Sequence, residues 1–90
     1  MSAPRYLEVT FRQGRALAAY LYLPRRPGDK STRCQQLPGG LVVDYAPDGR
    51  PIGIEITSPS TLDLASLDAA LAGAGQQPST HEEIAPLRAA

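Results

Sequence analysis

Two carboxylates, Asp44 and Glu55, are the residues whose types and spacing most directly suggest chemistry. Each falls at a polar position of a predicted strand, and two acids on one face of a sheet can share a proton or collect a hard cation such as Mg²⁺. Two ligands do not specify a metal, and no histidine lies near them in the sequence. The alternative is that they are solvated or paired with an arginine, for which Arg12, Arg15 and Arg50 are candidates.

A cysteine and a histidine form a second pair that could act as nucleophile and base. Cys34 and His81 are the only residues of their types, and neither lies in a recognisable nucleophile motif. We expect a half-buried thiol on a strand and an exposed histidine at the start of a helix. The glycine pairs 39–40 and 73–75 match no phosphate-binding pattern and are interpreted as turn and helix-stop residues. The sequence therefore assigns no catalytic, cofactor-binding or metal-binding residue.

A basic segment with interleaved tyrosines is the one feature that suggests nucleic acid. Single-strand binders combine a basic groove with aromatic stacking platforms, and here the segment runs from Arg5-Tyr6 through Tyr20 and Tyr22 to a basic run. The candidate contact residues are Arg25, Arg26, Lys30 and Arg33. The sequence pI of about 6.5 is well below that of a dedicated nucleic-acid-binding domain, so this function is kept as the alternative.

Formal charge is zero overall but unevenly distributed along the chain. Residues 1–34 hold seven basic and two acidic residues, whereas residues 35–90 hold two basic and seven acidic ones. The two parts can neutralise each other within the fold or across a dimer, which we favour. The other interpretation is that the basic part meets an anionic partner.

A predicted β-hairpin from Gly40 to Thr57 organises the elements that would position these residues. Apolar and polar residues alternate along both strands, which is typical of strands with one buried face. A two-residue turn at Asp48-Gly49 would fix the register. This register pairs Tyr45 with Ile52, Val43 with Ile54, and Leu41 with Ile56. We expect the three isoleucines to be buried, and Gly53 to leave backbone exposed on the other face.

Strands are also predicted before the hairpin. A first strand over 5–11 turns at Gln13-Gly14 into a second over 16–23, for which a helix is the main alternative. Residues 24–31 are expected to form a basic loop, and 31–37 a polar strand at a sheet edge.

Two short helices are predicted after the hairpin. The first covers 67–72 or begins earlier, since 61–64 can be either extended or a first helical turn. Ser66 is its predicted N-cap, its leucines face the isoleucine ladder, and Gly73 and Gly75 end it. The second begins at a Thr80–Glu83 capping box and buries Ile84 and Leu87. The predicted fold is therefore α+β: an antiparallel, meander-like sheet of about four to five strands with one or two C-terminal helices on one face.

Length and composition limit the number of domains and the cellular compartment. Ninety residues predict a single domain with one modest core, and we expect residues 1–4 and 88–90 to be flexible ends. The single cysteine favours a reducing cytoplasm. No run is long and apolar enough to span a bilayer, and Met-Ser-Ala-Pro-Arg lacks the apolar core of a signal peptide.

The segment from Leu41 to Ile56, followed by Ser58-Pro-Ser, resembles the signature of a small prokaryotic family, the domain of unknown function 2283. Members typically show Leu-Asp-Tyr-Asp-x-Asp-Gly-x-x-Val-Gly-Ile-Glu-Ile, then a small residue and Ser. Upstream, where members often carry acidic residues, this chain has Phe11-Arg12 and Ala18-Ala19-Tyr20-Leu21-Tyr22. The resemblance implies a sheet backed by a helix, and it implies no activity.

The favoured functional hypothesis is a non-enzymatic interaction module that self-associates as a homodimer or binds another protein. Ala18, Tyr20 and Tyr22 are apolar or aromatic on the face opposite the predicted core, and a small sheet with one or two short helices covers only one face well. These three residues are the candidate interface. A hydrolase or metal-binding role for Asp44 and Glu55 ranks below the nucleic-acid alternative.

Overall fold

The chain folds into a five-stranded antiparallel sheet followed by short C-terminal helices. The computed structural model describes residues 5–88. Its strands are β1 (Tyr6–Arg12), β2 (Arg15–Tyr22), β3 (Arg33–Leu37), β4 (Leu41–Tyr45) and β5 (Pro51–Ile56). Its helices are α1 (Leu64–Gly73) and α2 (His81–Ile84), with 3₁₀ turns at Pro59–Thr61 and Ala85–Arg88. The predicted α+β class is confirmed.

The strand order is β1-β2-β5-β4-β3, with β5 in the middle. A hairpin (β1–β2) and a three-stranded meander (β3–β5) are joined because β2 pairs with β5. The β1–β2 turn is tight because Gln13 and Gly14 both take positive φ values, 53° and 78°. The helical alternative for residues 16–23 is wrong, and the polar segment before the hairpin forms the edge strand β3, as predicted.

The central hairpin differs from its prediction near the turn. Leu41 pairs with Ile56 and Val43 with Ile54, as expected, but Tyr45 pairs with Pro51 rather than Ile52. The loop has three residues, 47–49, closed by the Ala46 amide donating to the Arg50 carbonyl at 2.9 Å. Pro47 fixes a negative φ at the first loop position, which suits a type I turn followed by a left-handed residue (Gly49, φ 88°) rather than a two-residue turn.

A second irregularity interrupts the β1–β2 pair. Thr10 pairs with Ala18 and Phe11 with Ala16, so Leu17 has no partner opposite it. Its alternation with Ala19 predicts burial, yet Leu17 is 50% exposed. The bulge at Leu17 interrupts the alternation at this point of β2.

The core lies between the helices and one face of the sheet. Ile52, Ile54 and Ile56 are at most 1% exposed, which confirms the buried ladder. Leu67 and Leu71 of α1 pack with these strands in one apolar cluster, joined by Ile84 and Leu87 from the last two turns. Burying side chains of this size contributes roughly 1.5–3 kcal/mol each, so this layer supplies most of the fold's stabilisation.

Helix α1 takes the earlier of the two starts left open by the sequence, and the predicted N-cap is wrong, because Asp63 and not Ser66 caps the helix. The Asp63 carboxylate accepts from the Ala65 amide at 3.2 Å, and the Ser66 hydroxyl donates to the same carboxylate. The helix ends at Gly73 with Gly75 in the left-handed region (φ 72°). The Gln76 amide donates a hydrogen bond to the Leu71 carbonyl, and the Gly75 amide donates one to the Ala72 carbonyl, which completes the helix end.

The C-terminal segment is fastened to the sheet by charged groups. Thr80 and Glu83 form the predicted capping box, and Glu83 also receives two hydrogen bonds from the Arg5 guanidinium, at 2.7 and 3.0 Å. Arg50 likewise pairs with Asp29 at 2.8 Å. The Arg5–Glu83 pair joins the basic N-terminal part to the acidic C-terminal part. The Arg50–Asp29 pair joins a base of the acidic part to an acid of the basic part, so only the first pair offsets the uneven charge distribution.

The predicted flexible ends fall outside the described residues except for Arg88, which is the last residue of the final 3₁₀ turn. Within residues 5–88, no helix combines the length and apolarity that crossing a membrane requires.

Candidate functional site

The sheet face turned away from α1, here the outer face, brings together most of the predicted site residues. The strand register places one row of residues across it from β1 to β3. This row consists of Tyr6, Tyr22, Gly53, Asp44 and Cys34. Tyr20 belongs to the next row, between Glu8 on β1 and Glu55 on β5.

Tyr20 lies diagonally over Gly53 and reaches Asp44 on the far side of it. The Tyr20 hydroxyl donates to Asp44 Oδ2 at 2.7 Å. A Cβ on residue 53 would overlap the Tyr20 ring, so only glycine leaves room for this arrangement. The prediction that Gly53 exposes backbone is wrong, because the residue is buried beneath the ring.

Arg25 completes the cluster from the loop that follows β2. Its Nη2 donates to the Tyr20 hydroxyl at 3.1 Å, and its Nε donates to the Ile52 carbonyl at 3.0 Å. That carbonyl also accepts from the Leu23 amide. The guanidinium therefore ties the loop to β5 and faces the tyrosines at the same time.

These contacts hold Tyr20 in its neutral form. Burial is the main cause that raises the pKa of its hydroxyl, and the hydrogen bond to Asp44 acts in the same direction. The neighbouring Arg25 opposes them more weakly. A tyrosine that serves as a general base or nucleophile needs a lowered pKa, so this hydroxyl acts as a hydrogen-bond donor that fixes the ring.

Two further tyrosines, Tyr6 and Tyr22, form a partly exposed stack beside Tyr20. The rings of Tyr6 and Tyr22 stack with centroids 4.5 Å apart, and Tyr22 lies 4.7 Å from Tyr20 in a tilted arrangement. The Arg25 guanidinium stands 4.9 Å from the Tyr22 ring centroid, within cation–π range. Tyr6 is 55% exposed. Tyr6, Tyr20, Tyr22 and Arg25 are called the tyrosine cluster below.

The two candidate acids lie on the same face of the sheet, and Asp44 is engaged by Tyr20. Asp44 is opposite Gly53, and Glu55 is opposite Val42, so they are diagonal neighbours as predicted. The partner of Asp44 is the Tyr20 hydroxyl rather than an arginine, and Arg50 instead pairs with Asp29 and Asp48. Among residues 5–88, no three His, Cys, Asp or Glu side chains group as metal ligands do.

The four basic candidates are not gathered on one surface. Arg25 lies on the outer face, but the Arg33 guanidinium packs on the Tyr45 ring, 4.5 Å from its centroid, on the helix side of the sheet. Arg26 and Lys30 are exposed in the loop between β2 and β3. Around Tyr20, three acidic residues accompany the single basic side chain of Arg25.

Cys34 and His81 lie at opposite sides of the molecule. Cys34 is on the edge strand β3, whereas α2, which His81 begins, contacts β1 at the other edge. Cys34 is exposed and not half-buried, because its side chain points to the uncovered outer face. His81 is exposed at a helix start, as predicted.

A concave site also exists on the helix side, between α1 and the strands β3 and β4. This groove has a volume of about 320 Å³. Its lining is mostly apolar and includes Leu37, Val43, Tyr45, Ala70 and Ala74. The small residues of α1 leave the space open. The Tyr45 hydroxyl donates to Gln35, and Asp44 and Glu55 are on the other face, so the groove offers binding surface but no acid–base pair.

No family model matches the chain, and searches of curated proteins and of solved structures return no match. The resemblance to the domain of unknown function 2283 therefore stays a prediction.

Sequence reasoning missed the roles of Arg25, Gly53 and Tyr6. An isolated glycine within an alternating strand signals a close approach of another group to the backbone, which is how Gly53 acts. Tyr6 has the same alternation as Glu8 and Thr10 and so belongs to the outer face. The contact of Arg25 depends on the path of its loop, for which the sequence carries no periodic signal.

Proposed function

We propose that this protein is a non-enzymatic interaction module that self-associates as a homodimer through its outer face. The carrying observation is the stacked pair of Tyr6 and Tyr22 on an outer face that no described helix covers. Tyr20 adjoins the stack, and Ala18 lies beyond Tyr20 on the same face of β2.

The rigidity and shape of the tyrosine cluster suit it to association. Tyrosine supplies large contact area at a small cost in conformational entropy, and interfaces are enriched in it. Tyr20 is held by Asp44 and by the close fit over Gly53, so its ordering precedes any association. A rigid aromatic surface gains more from being buried than a mobile one.

The experiment is a molar-mass measurement by sedimentation equilibrium on the chain and two variants. Tyr6→Ser removes the most exposed ring of the cluster and should weaken the dimer at least tenfold. Phe11→Ser is the matched control, since Phe11 is 45% exposed on the same strand but on its other side. A strict monomer at high concentration contradicts the proposal, as does equal weakening by both variants.

The nucleic-acid alternative receives limited support. It would use Arg25 with the tyrosine rings as stacking platforms, but Glu8, Asp44 and Glu55 surround this position with negative charge. Fluorescence anisotropy with a labelled single-stranded oligonucleotide at low salt tests it, because phosphate contacts are strongest there.

We also propose a cytoplasmic location. The support is the single cysteine, which has no partner for an internal disulfide and stays a free thiol in a reducing compartment.

A further inference from the structure

Strand β3 forms an open edge of the sheet. Four of its five residues, Arg33 to Gln36, are exposed. Alternate amides and carbonyls of an edge strand point away from the sheet and can pair with another strand. Natural proteins usually protect such edges against pairing with other chains.

Strand β3 is short and carries one charged residue, Arg33, but it lacks the other usual protective features. The segment Arg33–Leu37 contains neither proline nor lysine. The register between β3 and β4 is regular, whereas bulges interrupt both the β1–β2 and the β4–β5 pairs. The opposite edge, β1, is contacted by α2 and flanked by the Arg5–Glu83 ion pair. Of the two edge strands, β3 is therefore the one whose backbone is more accessible to a further strand.

We propose that β3 pairs antiparallel with β3 of a second copy of this chain, about a two-fold axis at Gln35. This joins two five-stranded sheets into one continuous sheet. Gln35 then lies opposite Gln35 of the second copy, Arg33 opposite Leu37, and Cys34 opposite Gln36. About four to six intermolecular backbone hydrogen bonds form, depending on which alternate residues face outward.

Charge selects this arrangement over a parallel one. Arg33 is the only charged residue of the strand. Parallel in-register pairing would set two Arg33 side chains side by side, which is destabilising. The antiparallel pairing separates them to opposite ends of the interface and places an apolar side chain across from each. The segment is therefore complementary to itself in one orientation.

Strand β3 forms one side of the groove beside α1, so a second copy paired with β3 would cover this groove. Gln35 and Leu37 line the groove beside α1, and Arg33 lies over Tyr45 at its rim. The second copy's Leu37, set opposite Arg33, would pack against this arginine–tyrosine contact. Pairing thus closes the open side of the apolar groove in both copies.

This contact uses a surface separate from the outer face, so it stands or falls independently of the proposed function. A dimer built on the edge leaves the tyrosine cluster exposed, and a dimer built on the outer face leaves β3 free.

A charge exchange at position 35 tests the axis directly. Gln35→Glu and Gln35→Lys each place like charges directly opposite across the two-fold, and each should weaken self-association at least tenfold in sedimentation equilibrium. The carboxylate that Gln35→Glu introduces can still accept from the Tyr45 hydroxyl, so the fold should persist, which circular dichroism checks. An equimolar mixture of the two variants should restore association. Gln36→Glu is the matched control, since residue 36 faces Cys34 of the second copy.

The outcomes separate the two surfaces. Loss of association in each Gln35 variant with recovery in the mixture supports the edge dimer. A strict monomer overturns it, and so does association that Gln35→Glu leaves unchanged. If Tyr6→Ser abolishes association while Gln35→Glu does not, the outer-face proposal holds and the edge proposal fails. Equal effects of Gln35→Glu and Gln36→Glu also overturn an axis at Gln35.

Discussion

Replacing Gly53 by alanine should destabilise the fold through Tyr20 rather than through β5 itself. The added Cβ would overlap the Tyr20 ring, so the ring must move away from Asp44. Overpacking of this kind costs about 1–3 kcal/mol, and loss of a hydrogen bond to a charged group about 1.5–3 kcal/mol. Because relieving the overlap is what breaks the bond, the two costs overlap, and we expect a total of about 2–4 kcal/mol.

A double-mutant cycle with Tyr20→Ala isolates this cause. Once the ring is gone, residue 53 is free to carry a Cβ, and alanine is favoured over glycine in a strand interior by about 0.5–1 kcal/mol. Gly53→Ala should therefore destabilise the natural chain but slightly stabilise the Tyr20→Ala variant. The coupling between the two positions should be about 3 kcal/mol.

Urea unfolding of the four proteins at one fixed concentration gives the cycle, because self-association would otherwise shift the apparent stability. The sign reversal is the decisive observation. If Gly53→Ala costs the same free energy of unfolding in both backgrounds, the cost arises in β5 or in the core. The explanation that Gly53 is required to make room for the Tyr20 ring is then refuted.

Three further outcomes are expected. The hydrogen bond from Arg50 lowers the pKa of Asp29 to about 2. The ionised carboxylate therefore stabilises the fold at pH values above its ordinary pKa, and this stabilisation is lost as the pH falls from about 4 to 2. Asp29→Asn should remove this part of the acid dependence of the urea midpoint. Asp63→Ala should cost about 1 kcal/mol of unfolding free energy as a lost N-cap, and Ser66→Ala, its control, clearly less. Arg5→Lys should speed amide exchange over 81–87 while leaving β5 protected, because lysine cannot reproduce the forked contact with Glu83.

The central hairpin shows how far local sequence determines the structure. Alternation alone placed all three isoleucines in the core, because a strand with one apolar face has a single way to bury it. The turn was predicted incorrectly because Asp48-Gly49 suits a two-residue loop only if both residues adopt positive φ. Pro47 adds a loop position with fixed negative φ, and only Gly49 is left-handed.

The start of α1 shows two local signals in competition. Asp63 and Ser66 are both good N-caps, and each precedes leucines with helical spacing. The leucine at position 64 decides between them, because a helix that begins at 64 places it beside the core, where it is partly buried. Tertiary packing therefore selected the cap, which is why the N-cap predicted at Ser66 is wrong.

The tyrosine cluster depends on which strands become neighbours. Tyr20, Gly53 and Asp44 come from three strands and meet only because β2 pairs with β5 and β5 with β4. The sequence placed these residues on faces of strands but not beside each other, since a hairpin and a meander can be joined at either edge. The non-local β2–β5 pairing thus creates the site.

The β2–β5 pairing also makes the outer face rigid. The strand that buries three isoleucines on one side offers the gap at Gly53 on the other, and Tyr20 fills that gap with its hydroxyl bound to Asp44. Arg25 is fixed in turn by Tyr20 and by the Ile52 carbonyl, and its guanidinium faces the Tyr22 ring. The rings of Tyr20 and Tyr22 are therefore held by groups that the core or the backbone holds, and the Tyr6 ring stacks on that of Tyr22. A surface ordered in this way loses little side-chain entropy when it is covered, which is the property that an association surface on so small a domain requires.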